Sequence, residues 1–391
     1  MNPGDIRPGS SQPPNNIVMN PGDIRLGSPQ PGDELIRAYL MSRPPLYQSF
    51  DETTGIDCLT MVLRRLHAHT MIGPHGFLRL RSFQDAEKDN AIIRHSWQKF
   101  GTEPHERRDA TASWRMLKPE LGYHGLKADA SFGDICTSAL MNKTYWSQNE
   151  MRLLEPKVCL ESWQIVGENA EEIASSSLLR LDLDDSPDLT LQDAVDRSFG
   201  IFEREGKRTM HRPSRPYIIR VLYNPGSQQR LFFQELRGLI LPFWTETGDR
   251  NDPFDKSGTA PYVLLAVVRM RENSTDHDYA RMYACHGSEI ICQYEHPHFL
   301  RTDWSVEDAD NNMYMLFYGA EGEAPFGDPT TFPEVAPPSL DDEDIDDLLD
   351  LGKCLDEEMN EMLPEREPGV TEEENLEGNI RMPGQNGIFP G

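Results

Sequence analysis

The sequence predicts an α+β domain in which a helical first half precedes an antiparallel, strand-rich second half. Three observations carry this. Between residues 58 and 160 apolar side chains recur mainly at helical spacing. After about residue 175 they alternate, or run in short β-branched and aromatic blocks. The 30 prolines and 29 glycines of the 391-residue chain cluster towards the two ends. Residues 1–45 and 321–391 are therefore expected to be disordered, leaving 46–320 as one folded domain.

The N-terminal segment contains a near-repeat, MNPGDIRPGSSQP and MNPGDIRLGSPQP, too polar and too few in copies for a solenoid. Order is expected from LYQSF onwards. CLTMVLRRLHAH places Leu59, Val62, Leu63 and Leu66 on one helical stripe, with Arg64 and Arg65 outside it. SFGDICTSALM and NEMRLLEPKV read as shorter helical pieces. The polar stretch DAEKDNAIIRHSWQKFGTEPHERRD has no clear period.

LLRLDLD alternates, with Leu179, Leu181 and Leu183 on one face. LTLQDAVDRSFGIFE reads as a helix. Strands are expected in PYIIRVLY, RLFFQELRGLILPF, PYVLLAVVRMR, DYARMYACHG, EIICQY and MYMLFYG, forming an antiparallel sheet.

The formal net charge is −27, and over half of it lies between Asp341 and Glu377. Such acidity disfavours a nucleic-acid partner, because phosphate binding needs a basic surface. No apolar run has membrane-spanning length, so no membrane association is expected. The N-terminus lacks the apolar core of a secretory signal, and the six cysteines are scattered. Free thiols in the cytoplasm or nucleus are the expectation. No Cys-x-x-Cys pair, histidine cluster or phosphate-binding glycine loop occurs, so neither a metal nor another cofactor is expected. In the acidic tail, Ile345, Leu348, Leu349, Leu355, Met359 and Met362 would line one face of a short helix. That face suits a partner groove, or the basic residues Arg64, Arg65, Arg107 and Arg108.

Cys58 opens its helix, where the dipole stabilises a thiolate; the alternative is a buried core cysteine. The order LTLQDAVDRSF, RPYIIRVLY, LILPF, YVLLAVV, DYARMY and MYMLFY, over about 130 residues, resembles the C-terminal half of the ubiquitin-specific proteases, and the resemblance as a whole covers roughly 50–318. TGIDC is similar to that family's nucleophile motif, with Gly55 three residues before Cys58. The resemblance implies a papain-like cysteine peptidase fold and thiol-dependent hydrolysis at the C-terminus of ubiquitin or a ubiquitin-like protein. It implies Cys58 as nucleophile, His277 as base, Glu295 or His296 as the group orienting that base, and Thr53 at the oxyanion position. The family's His-Tyr pair aligns with Asp278-Tyr279, which would put a carboxylate where the base belongs and raise the thiol's pKa. A bulge before Tyr279 would turn His277 inward instead. Three readings stay open: a live thiol hydrolase of this family, a catalytically inactive ubiquitin- or protein-binding module, and another papain-like peptidase.

Overall fold

The computed structural model describes residues 31–45, 54–70, 72–73, 76–77, 81–101, 103–204, 206–227, 230–247, 254–284, 298–301, 303–308, 312–320, 333–335 and 353–354. They form a mixed α+β architecture, largely helical before residue 150 and rich in strands after 175.

The helices are α1 (Pro31–Ser42), α2 (Thr54–Thr70), α3 (Arg81–Asp89), α4 (Ala91–Ser96), α5 (Pro104–Tyr123), α6 (Phe132–Cys136), α7 (Ala139–Met141), α8 (Ala170–Ser176) and α9 (Leu191–Asp196). The fold starts earlier than expected, since α1 lies inside the segment expected to be disordered and packs Leu40 against Ala68 of α2. Helix α2 is the axis of the lobe, with 16 of its 17 residues buried. A helix enclosed on all sides must satisfy its own polar groups internally. Arg64 and Arg65, expected outside the apolar stripe, are 0 % and 2 % exposed.

Arg64 supplies what two helix ends lack. Its guanidinium donates to the carbonyls of Tyr39 at 3.1 Å and Leu40 at 3.2 Å, in the last turn of α1. It also donates to Ser96 O at 2.8 Å and Gln98 O at 3.2 Å, at the end of α4. The last carbonyls of a helix have no partner within the helix, so one buried cation caps two C-termini at once. Local caps fix the starts. Asn90 accepts from Ile92 N, Ser131 accepts from Asp134 N, and Pro104 opens α5 with Glu106 reaching back to the Glu103 N–H.

The strands are β1 (Ile72–Gly73), β2 (Gly76–Phe77), β3 (Val158–Cys159), β4 (Gln164–Ile165), β5 (Leu178–Asp182), β6 (Gly200–Arg204), β7 (Lys207–His211), β8 (Ile218–Asn224), β9 (Gly238–Glu246), β10 (Phe254–Arg269), β11 (Tyr279–Met282) and β12 (Tyr314–Ala320). The principal sheet runs β11-β10-β12-β8-β5, with β9 also paired to β10. Its pairs are antiparallel except β5 with β8, which is parallel and corrects the expectation of a wholly antiparallel sheet. A second sheet, β4-β3-β7-β6, was not anticipated. It contains the end of the expected helix 189–203, because Gly200 takes φ 128°, a conformation that suits glycine and ends the helical path.

The principal sheet separates two cores. Met315, Phe317, Ala280 and Met282 face the helices, whereas Tyr314, Leu316, Tyr318 and Tyr283 face a second core with Trp304 and Val306. A register shift between Leu264 and Ala266 in β10 sends both Leu265 and Ala266 to the helical side. In β11 the pairing is regular, Arg269 with Tyr279 through Ala266 with Met282.

His67 and His95 are buried in the helical lobe at 0 % and 2 % exposure, and burial pushes both imidazoles down to about 3. The unfolded chain takes up their protons near pH 6.5 while the folded one does not, so stability is lost as pH falls from 6.5 towards 3. Urea unfolding at pH 7 and pH 5 should show a lower midpoint at pH 5, and His67→Phe should flatten that slope. Replacing Arg64 by methionine strips four helix-end contacts and is expected to cost about 3 kcal/mol or more in the same assay.

Candidate functional site

Cys58 lies in the second turn of α2, because the helix begins at Thr54 rather than at the cysteine. Dipole stabilisation fades beyond the first turn, so the expected thiolate-favouring position is not realised. The thiol is 0 % exposed. Burial, then the charge of Asp278, then that of Asp57, all push it well above the ordinary thiol range. A thiol held protonated in this way is a poor nucleophile.

The segment before α6 closes over the start of α2. A Cβ on Gly55 would stand 2.3 Å from Ala130 O and 2.7 Å from Phe132 N, so glycine is what permits this approach. The glycine matched to the nucleophile motif thus has a packing reason of its own here.

Asp278 completes the closure. It is 0 % exposed and directly precedes β11, whose regular register sends alternate residues to the helical side. Its carboxylate accepts from Phe132 N at 3.0 Å, the first residue of α6, and from Arg271 N at 3.0 Å. The Arg271 Nε stands 3.9 Å away, and the Asp278 N–H donates to the Thr54 hydroxyl at 3.4 Å. Burial raises the Asp278 carboxyl, while the two N–H donors and the Arg271 cation act in the opposite direction. At the other end of β11, Arg65 of α2 donates to Tyr283 O at 2.6 Å.

The structure therefore places Asp278 at the Thr54 end of α2, near enough for its charge to act on the Cys58 thiol. The ring of His277 lies 6.4 Å from the Tyr279 ring and 6.1 Å from that of His298, with its carbonyl accepting from Arg269 at 3.5 Å. The β11 ladder begins at Tyr279 and is regular from there; the irregularity sits in the neighbouring β10. Thr53, Glu295 and His296 lie outside the described residues. Asp303 is exposed and ion-paired with Arg301. Sequence reasoning missed Thr54, Asp57, Phe132 and Arg271. Only the serine before Phe132 carried a local signal, as a helix cap. Among the described residues no group of three or more His, Cys, Asp and Glu is placed to hold a metal ion. No described helix is long and apolar enough to cross a membrane.

The electrostatics give a direct test. Asp278→Asn removes a negative charge beside the sulfur, so the pH midpoint for alkylation of Cys58 should fall; it should stay above the ordinary thiol value because burial is the larger cause. Gly55→Ala should lower folding stability by about 1–3 kcal/mol through overpacking, read from urea unfolding. No family model and no curated protein matches this chain.

Proposed function

We propose that this chain is a papain-like module of ubiquitin-specific-protease type in which thiol chemistry has been silenced, and that it works as a binding protein for ubiquitin or a ubiquitin-like partner. The observation that carries the reading is the buried pair of Cys58 and Asp278. Peptide hydrolysis by a thiol needs a base that takes the proton and leaves a thiolate–imidazolium pair. A carboxylate beside the sulfur opposes thiolate formation, and this one is already engaged by Phe132 N and Arg271 N.

Support for the fold assignment is the order of elements: a buried helix bearing Cys58, further helices, then a sheet whose edge strand follows Asp278. With Cys58 fully buried, a partner's extended tail does not reach the thiol in this arrangement. Recognition would then use the partner's globular body. The described cysteines are free thiols, which suits a cytoplasmic or nuclear protein. The acidic segment from Asp341 to Glu377 would offer partners a further docking element.

Ubiquitin carrying a C-terminal electrophile should form no adduct with the full chain. Ubiquitin lacking its terminal glycines should bind the chain as tightly as the intact protein, and Cys58→Ala should leave that affinity unchanged, as measured by calorimetry. An adduct lost in Cys58→Ala would restore the hydrolase reading, and no detectable ubiquitin affinity would sink the binding one.

A further inference from the structure

Beyond β12 the chain returns to the β lobe, outside the 46–320 limits expected for the domain. Residues 333–335 lie against β11 and the 303–308 turn, and Glu334 is the anchor. Its Oε1 accepts from the Arg281 guanidinium at 2.9 Å and from Val306 N at 3.0 Å. Its Oε2 accepts from the Ser305 hydroxyl at 2.5 Å. The Glu334 carbonyl accepts from the Tyr283 hydroxyl at 3.0 Å. The two charged side chains are 10 % and 2 % exposed.

The receiving pocket is built rather than incidental. The Arg281 guanidinium lies 4.0 Å above the Trp304 ring and donates to Trp304 O at 2.6 Å, which fixes its plane. A guanidinium, a hydroxyl and a backbone N–H then converge on one carboxylate, the pattern of a charge-assisted carboxylate receptor. Burial raises the Glu334 carboxyl, and the Ser305, Arg281 and Val306 donors act against that rise.

Arg281 and Tyr283 belong to the same short stretch as Asp278. Strand β11 has four residues and sits at the edge of the principal sheet, paired with β10. An edge strand of this length has few ladder bonds; beyond them one backbone bond, Ala280 N–H to Phe299 O at 2.8 Å, and a set of side-chain anchors keep it in place. Asp278 and the Tyr283 carbonyl hold it to α6 and α2 on one side. Glu334 holds it on the other.

We propose that the Arg281–Ser305–Val306 pocket is a carboxylate-binding site whose ligand is the chain's own Pro-Glu-Val segment, and that Glu334 seated there is a latch keeping β11, and so Asp278, closed over Cys58. Withdrawal of the segment frees the edge strand and uncovers the sulfur. The latch concerns access to Cys58 and stands whether or not that thiol reacts with ubiquitin.

Iodoacetamide labelling of Cys58 in the full chain, followed by peptide mass mapping, tests this. Glu334→Ala should speed labelling by about tenfold or more, with Ser305→Ala giving a smaller rise. A synthetic peptide spanning residues 329–339 should restore protection to Glu334→Ala, and the same peptide with Gln for Glu334 should not. An unchanged labelling rate overturns the latch. So does an increase equal to the variant's rise in the global unfolding constant measured in urea, or protection that both peptides restore equally.

Discussion

A buried carboxylate ties the two lobes together at the head of α2. Asp278 stands at the edge of the sheet, yet its oxygens satisfy the first N–H of α6 and the N–H of Arg271, and its own N–H meets Thr54 at the head of α2. An ionised carboxylate can only accept, so it pairs well with helix-start N–H groups that have no other partner. The same charge stands beside a thiol and disfavours its ionisation. What fastens this junction also disfavours the thiolate. Stability and reactivity compete directly at this position, and the arrangement resolves the competition for stability.

The helical lobe follows a parallel logic with the opposite sign. Arg64 is a cation among carbonyls, and it gathers the ends of α1 and α4 around the middle of α2. His67 lies between aromatic neighbours, stacked 4.9 Å from the Trp97 ring, and is kept neutral by burial. Charge is thus admitted to the interior where backbone dipoles surround it. Titratable groups without such a cradle remain uncharged.

The sequence revealed the elements better than their partners. The helix around Cys58 and the strands over 218–224 and 314–320 were legible because β-branched and aromatic runs, or an apolar stripe, marked them. Helix α5 was missed because its exposed surface is polar and only Ala110, Trp114, Leu117 and Leu121 among its apolar residues point inward. Arginines in α2 were read as surface groups, since nothing local announces that a buried guanidinium will find four carbonyls elsewhere in the chain. The alternative of Asp278 facing the thiol was visible from the position of Tyr279. Its hydrogen bond to Phe132 joins residues 146 positions apart, and no spacing rule reaches that far.

Enclosure of Cys58 bears on redox chemistry as well as on catalysis. Peroxide converts cysteine to sulfenic acid by attack of an accessible thiolate. Here the sulfur is fully buried and biased towards its protonated form. Oxidation that disables a working cysteine peptidase therefore has little purchase at this position, and among the described thiols the exposed Cys354 is the more accessible target.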